Sequence, residues 1–112
     1  CNLARDDCRV ALPNGGEITL SLSPRPIRPL RAFTARLTVR DVEVRSADLD
    51  LEGTTMKMGY YRPRFNPVDG GYSAEAILPV CVTGNMEWAA TVLLKTQEGT
   101  LAVPFHFEVS GG

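Results

Sequence analysis

The sequence predicts an all-β chain, an immunoglobulin-like antiparallel sandwich of about seven strands. Two observations carry this. Apolar residues recur with period two along most of the 112 residues, the spacing that puts every second side chain on one face of a strand. Clusters of Gly, Pro, Asn and Asp punctuate these runs at short intervals, while no stretch keeps the 3.6-residue spacing of an amphipathic helix.

The elements follow in order. Residues 1–10 read as a polar tether, and residues 11–110 as one sandwich domain. Ile18, Leu20 and Leu22 share a face, after a hairpin signal at Asn14-Gly15-Gly16. Pro24, Pro26 and Pro29 stiffen an extended connection. Phe33, Ala35, Leu37 and Val39 form the next face; the parity then shifts across Asp41, where a bulge or turn is expected before Val42 and Val44. Ala47, Leu49 and Leu51 alternate with acids. Asp69-Gly70-Gly71 signals a second hairpin, opening the face Tyr72, Ala74, Ala76, Leu78 and Val80. Thr83-Gly84-Asn85 precedes the strongest face, Met86, Trp88, Ala90, Val92 and Leu94. After a turn at Gln97 to Thr100, the last face is Leu101, Val103, Phe105, Phe107 and Val109. Trp88, the single tryptophan, is expected inside as a plug between the sheets. Pro104 predicts an edge position or a bulge, because it has no N–H to give a ladder.

Composition excludes several classes. Hydrophobic residues are 44% and charged residues 22%, ordinary values for a globular domain. The longest apolar run, around Val92-Leu93-Leu94, is too short for a membrane-spanning helix. A net charge of −1 argues against a general nucleic-acid binder. The charge is uneven, however. Six arginines lie between Arg25 and Arg45 against Asp41 and Glu43. This is either a run of solvated strand positions or a basic edge that meets an anionic partner or lipid headgroups.

Catalysis is not expected. The one histidine, His106, alternates outward between Phe105 and Phe107, and there is no nucleophile elbow or phosphate loop. Soft-metal binding is the alternative. Met56 and Met58 put two thioethers on one side of an extended chain, a Cu(I)-preferring pair, with Met86 and His106 as auxiliaries. The stretch Tyr60, Tyr61, Arg62, Arg64 and Phe65 reads as a partner-binding loop, since Tyr and Arg are favoured interface anchors, or equally as a loop that crosses between the sheets with Tyr and Phe covering its end.

The three cysteines bear on compartment. Cys8 and Cys81, 73 positions apart, are expected to form a disulfide. A loop that long is worth roughly 4 kcal/mol in the chain-entropy model, and such bonds persist in oxidising compartments. Cys1, followed by Asn-Leu-Ala-Arg-Asp-Asp, is then expected to carry lipid, as in a mature bacterial lipoprotein that is anchored without a spanning segment.

Met56-x-Met58-Gly59, Gly70-Gly71-Tyr72, Leu78-Pro79, Gly84 and Trp88 together resemble the YtkA-like domain over about residues 30–110. That family comprises small extracytoplasmic β-sandwiches related in outline to the FixH proteins of cytochrome oxidase assembly. A Met-x-Met-Gly-Tyr segment with nearby Arg62 and Arg64, and Leu78-Pro-Val-Cys81 before the Trp88 strand, is similar to a group of proteobacterial secreted or lipid-anchored proteins. The resemblance implies a periplasmic sandwich connected with copper or with respiratory-complex assembly. The expected role is therefore non-enzymatic interaction with an envelope protein, with Cu(I) binding as the alternative.

Overall fold

A computed structural model describes residues 1–13, 15–54, 61–78 and 85–110. The described residues form eight strands: β1 (Cys8–Ala11), β2 (Glu17–Ser23), β3 (Phe33–Arg40), β4 (Ser46–Gly53), β5 (Asn66–Val68), β6 (Gly71–Ala76), β7 (Asn85–Thr96) and β8 (Gly99–Ser110). They form two antiparallel sheets, one in the order β1-β2-β3-β6-β5 and one in the order β4-β7-β8. Among the described residues there is no helix. The β-sandwich class expected from the alternation is the observed one.

The longer strands form because one face can be buried, whereas all three residues of β5 are exposed. In β2, Ile18, Leu20 and Leu22 are wholly buried, and so are Ala35 and Leu37 in β3. The register Leu20↔Leu37 and Leu22↔Ala35 stacks these residues into one inner face. The facing sheet contributes Leu49, Leu51, Trp88, Val92 and Leu94 to the same core. Slipping any of these strands by one residue would turn its whole apolar set to water, so the pattern fixes the register. The parity shift at Asp41 is a turn: β3 ends at Arg40 and Asp41 adopts φ 58°.

β1 and β5 go beyond the six alternating faces in the sequence. Both are short and lie at the edges of the larger sheet. The expected tether at 1–10 needs correction. Leu3 is wholly buried, Cys8 opens β1, and Cys8 pairs with Leu20 of β2. A single apolar residue in a polar stretch gives no period, so its burial could not be read from alternation.

Pro104 sits in the edge strand β8, with no bulge in the β7–β8 register. The His106 carbonyl accepts from the Leu3 N–H at 3.1 Å, so His106 turns its backbone to the outer edge. Pro104, two residues earlier, shares that orientation. Its missing N–H therefore falls where no ladder partner exists.

Candidate functional site

Chain segment 61–65 returns from one sheet to the other along the outer edge of β4. The Leu51 N–H donates to the Tyr61 carbonyl at 2.9 Å, and the Leu49 N–H to the Pro63 carbonyl at 3.2 Å. An extended chain alternates, so Pro63 and Phe65 turn inward and are buried while Arg62 and Arg64 turn outward. β4 alternates in the same way and presents Asp48 and Asp50 on that outer side. Arg62 Nε lies 3.8 Å from Asp50 Oδ1, and Arg64 Nε lies 3.7 Å from Asp48 Oδ1. Both contacts are longer than hydrogen bonds, and the guanidinium side chains stay 57% and 80% exposed. An exposed pair such as Arg64–Asp48 is worth at most about 1 kcal/mol, whereas the Asp50 Oδ1 beside Arg62 is buried. Arg64 can therefore exchange its acid for that of a partner.

Beside them the surface is apolar. Four large hydrophobic residues are exposed among the described residues: Leu30, Tyr61, Val68 and Ile77. Two hydrogen bonds bring three of these together. The Ile77 N–H donates to the Tyr61 hydroxyl at 3.2 Å, and the Leu30 N–H donates to the carbonyl of Leu78, next to Ile77, at 3.0 Å. Leu30, Ile77 and Tyr61 thus meet solvent along one rim, and Arg62 and Arg64 follow Tyr61 in the chain. Grouped exposed hydrophobics mark interaction surfaces; scattered ones do not.

The expected partner-binding set is partly redistributed. Tyr61, Arg62 and Arg64 are at this surface. Phe65 is not: it is 4% exposed and its ring meets Tyr72 edge-on, with centroids 6.4 Å apart. Phe65 anchors the crossing to the core instead. Tyr60 lies outside the described residues. Leu30 and Ile77 are additions that no local pattern announces, because they converge only through the sheet crossing.

Of the expected metal ligands, Met56 and Met58 lie outside the described residues, and so does the side chain of Met86. His106 is exposed on the outer face of β8. Among the described residues no three His, Cys, Asp or Glu side chains gather as metal ligands.

The cysteine pairing needs correction. Cys8 is bonded to Cys1, across a separation of 7 residues. The expected partner Cys81 lies outside the described residues, and the Cys8 Sγ is no longer available to it. The Cys1 Sγ, expected to carry lipid, is likewise committed. A loop this short is worth about 2.5 kcal/mol in the chain-entropy model, rather than about 4 for the long loop. Peptide mapping without reduction is expected to recover Cys1 linked to Cys8. Cys8→Ser is expected to cost about 2 to 3 kcal/mol in urea unfolding.

Next to this loop, Arg25 donates to Asp7 Oδ1 at 2.9 Å. The Ser21 hydroxyl first, and the Arg25 guanidinium second, hold the Asp7 carboxyl below its ordinary value. Asp7 and Arg25 thus fasten the N-terminal segment to the start of the β2–β3 connection.

No family model and no curated protein matches this sequence. Among solved structures, the chain is similar to an engineered protein at TM-score 0.51 and 17% identity, covering 92% of this chain. This chain spans 21% of the length of that protein. It is also similar to AggA, the major subunit of aggregative adherence fimbriae type I from Escherichia coli, at TM-score 0.39 and 13% identity, with 90% of this chain and 98% of that one covered. At these identities the likeness to the engineered protein concerns the fold alone. The class that fold and surface define is an antiparallel β-sandwich with an apolar, arginine-flanked rim.

Proposed function

We propose that this chain is a non-catalytic binding domain of the cell envelope that holds an acidic segment of a partner protein at the rim formed by Tyr61, Ile77, Arg62 and Arg64. The observation that carries the reading is the nearness in the chain of two exposed arginines to the exposed Tyr61 side chain, which bonds the Ile77 backbone. Interfaces favour this combination: an amphipathic ring and an aliphatic contact supply area, and arginines supply direction. The Cys1–Cys8 bond supports an extracytoplasmic setting, since such bonds persist where the environment is oxidising.

Site-specific photo-cross-linking in cells tests this. A photoreactive residue at position 77 is expected to give a discrete adduct, and one at position 97, in the β7–β8 turn, is expected to give none. The double charge reversal Arg62→Glu/Arg64→Glu is expected to remove the position-77 adduct, with circular dichroism confirming that the variant keeps its fold. Equal adducts from both positions, or an adduct that survives charge reversal, would overturn the reading.

A further inference from the structure

The β2–β3 connection holds Arg25, Arg28 and Arg31 within seven residues of chain. Its last part is a tight turn. The Arg31 N–H donates to the Arg28 carbonyl at 3.4 Å, Pro29 takes the first central position, and Leu30 takes the second with φ 60°. This is the type II arrangement, whose second central position ordinarily goes to glycine. A leucine there is strained. It is also 63% exposed, more than any other large hydrophobic among the described residues. Neither the core nor the turn geometry accounts for a leucine at this tip.

The turn keeps the Cα atoms of Arg28 and Arg31 within about 7 Å of each other. Among the described residues neither guanidinium has a carboxylate at ion-pair distance, whereas Arg25 is held by Asp7. A cavity of about 320 Å³ opens beside the turn, lined by Arg25, Arg28, Arg31 and Phe33 among others. The other acid in the vicinity is Glu108, which lines an adjoining cavity together with Arg28.

We propose that the Arg28–Arg31 turn seats the protein on an anionic phospholipid surface, with Leu30 entering the headgroup layer and the two guanidinium groups binding lipid phosphates. A planar guanidinium matches phosphate oxygens two at a time. An apolar tip between two cations matches the layering of a bilayer, where phosphates lie just above the first methylenes. A dissolved phosphate would engage the arginines equally well if residue 30 were glycine, so it leaves the strained, exposed leucine unexplained. One leucine and two arginines make the contact reversible. Leu30 borders the partner-binding rim, but Arg28 and Arg31 lie outside it, and the vesicle test stands or falls separately from the cross-linking test.

Co-sedimentation of the whole chain with vesicles tests it. Selective binding is expected to phosphatidylcholine vesicles containing phosphatidylglycerol over phosphatidylcholine alone, weakening as salt rises. Arg28→Glu/Arg31→Glu is expected to lower that binding roughly 30-fold, with circular dichroism confirming the fold. Leu30→Gly is the sharper variant. It keeps both charges and suits the backbone, so its melting temperature is expected to rise while vesicle binding falls roughly tenfold. Equal binding to both vesicle types overturns the proposal, as does a charge-reversed variant that binds like wild type. A Leu30→Gly variant that gains stability without losing vesicle binding also overturns it. Saturable binding of inorganic phosphate, seen by NMR, without any vesicle preference would reassign the turn to a free anion.

Discussion

Trp88→Ala is expected to remove about 3 to 5 kcal/mol of stability. For a domain of this size that is a fall in melting temperature of at least about 12 °C by circular dichroism. The reasons are position and volume. Trp88 is 2% exposed, lies opposite Phe107 in the β7–β8 register and opposite Gly53 in the β4–β7 register, and is among the largest fully enclosed side chains. The two layers that pack on it are sheets stiffened by their own ladders, so they cannot collapse into the space an alanine leaves. Trp88→Phe is expected to be much milder. The indole Nε1 is buried with no hydrogen-bond partner among the described residues, so the phenyl ring forfeits area and no bond, and it relieves an unpaired donor. A Trp88→Phe variant as unstable as Trp88→Ala would mean that the indole N–H is paired after all.

Gly71→Ala is expected to be as damaging, by a different route. Gly71 opens β6 and pairs with Thr38 of β3. A methyl group on its Cα would fall inside the van der Waals envelope of the Leu37 carbonyl oxygen, with Thr38 Cα 3.2 Å away on the same side. The obstruction is backbone, in the third strand of a five-stranded sheet, and it has no rotamer by which to withdraw. Either β6 parts from β3 at this end or the alanine variant unfolds at distinctly lower urea concentration, a loss of several kcal/mol. The neighbouring Gly70 gives the control. It has φ 81° and open space around it, so Gly70→Ala is expected to cost only the strain of the left-handed conformation, about 1 to 2 kcal/mol. If the two variants were equally stable, the close approach at Gly71 would be disproved.

The alternation made most of this architecture legible. It placed Trp88, Phe105 and Phe107 inward and His106 outward, and each stands there. The missing N–H of Pro104 called for an edge position or a bulge, and it lies at an edge. The parity shift at Asp41 called for a bulge or a turn, and a turn is there. These are all local signals. The candidate surface was legible only in part. Tyr61, Arg62 and Arg64 were named from residue type, but Phe65 belonged to the same string of types and went inward, because the crossing segment alternates too. Leu30 and Ile77 lie 47 positions apart in the sequence, and only the β6 exit brings them together. The cysteines failed for another reason. Three thiols allow three pairings, and pairing Cys8 with the distant Cys81 left Cys1 as the odd residue. Once Leu3 is buried and β1 pairs with β2, the N-terminal segment folds back on itself and the nearer cysteine is within reach.

The position of Pro104 has a consequence for crowding. A protein gathered on a surface meets its own copies far more often than one in free solution, and the outermost strand of a sheet is where such meetings become templated growth. Along the outer side of β8, residues 2–3 already occupy one stretch at His106. Pro104 interrupts the remainder by withholding a donor in mid-strand. A neighbouring copy that tried to extend the sheet would find its ladder broken where it most needs continuity. Pro104→Thr, which restores that donor on a strand-favouring residue, is expected to leave the monomer's unfolding curve nearly unchanged and to raise light scattering at high protein concentration. Greater scattering from Pro104→Thr with unchanged unfolding would assign the proline the role of a guard against self-association.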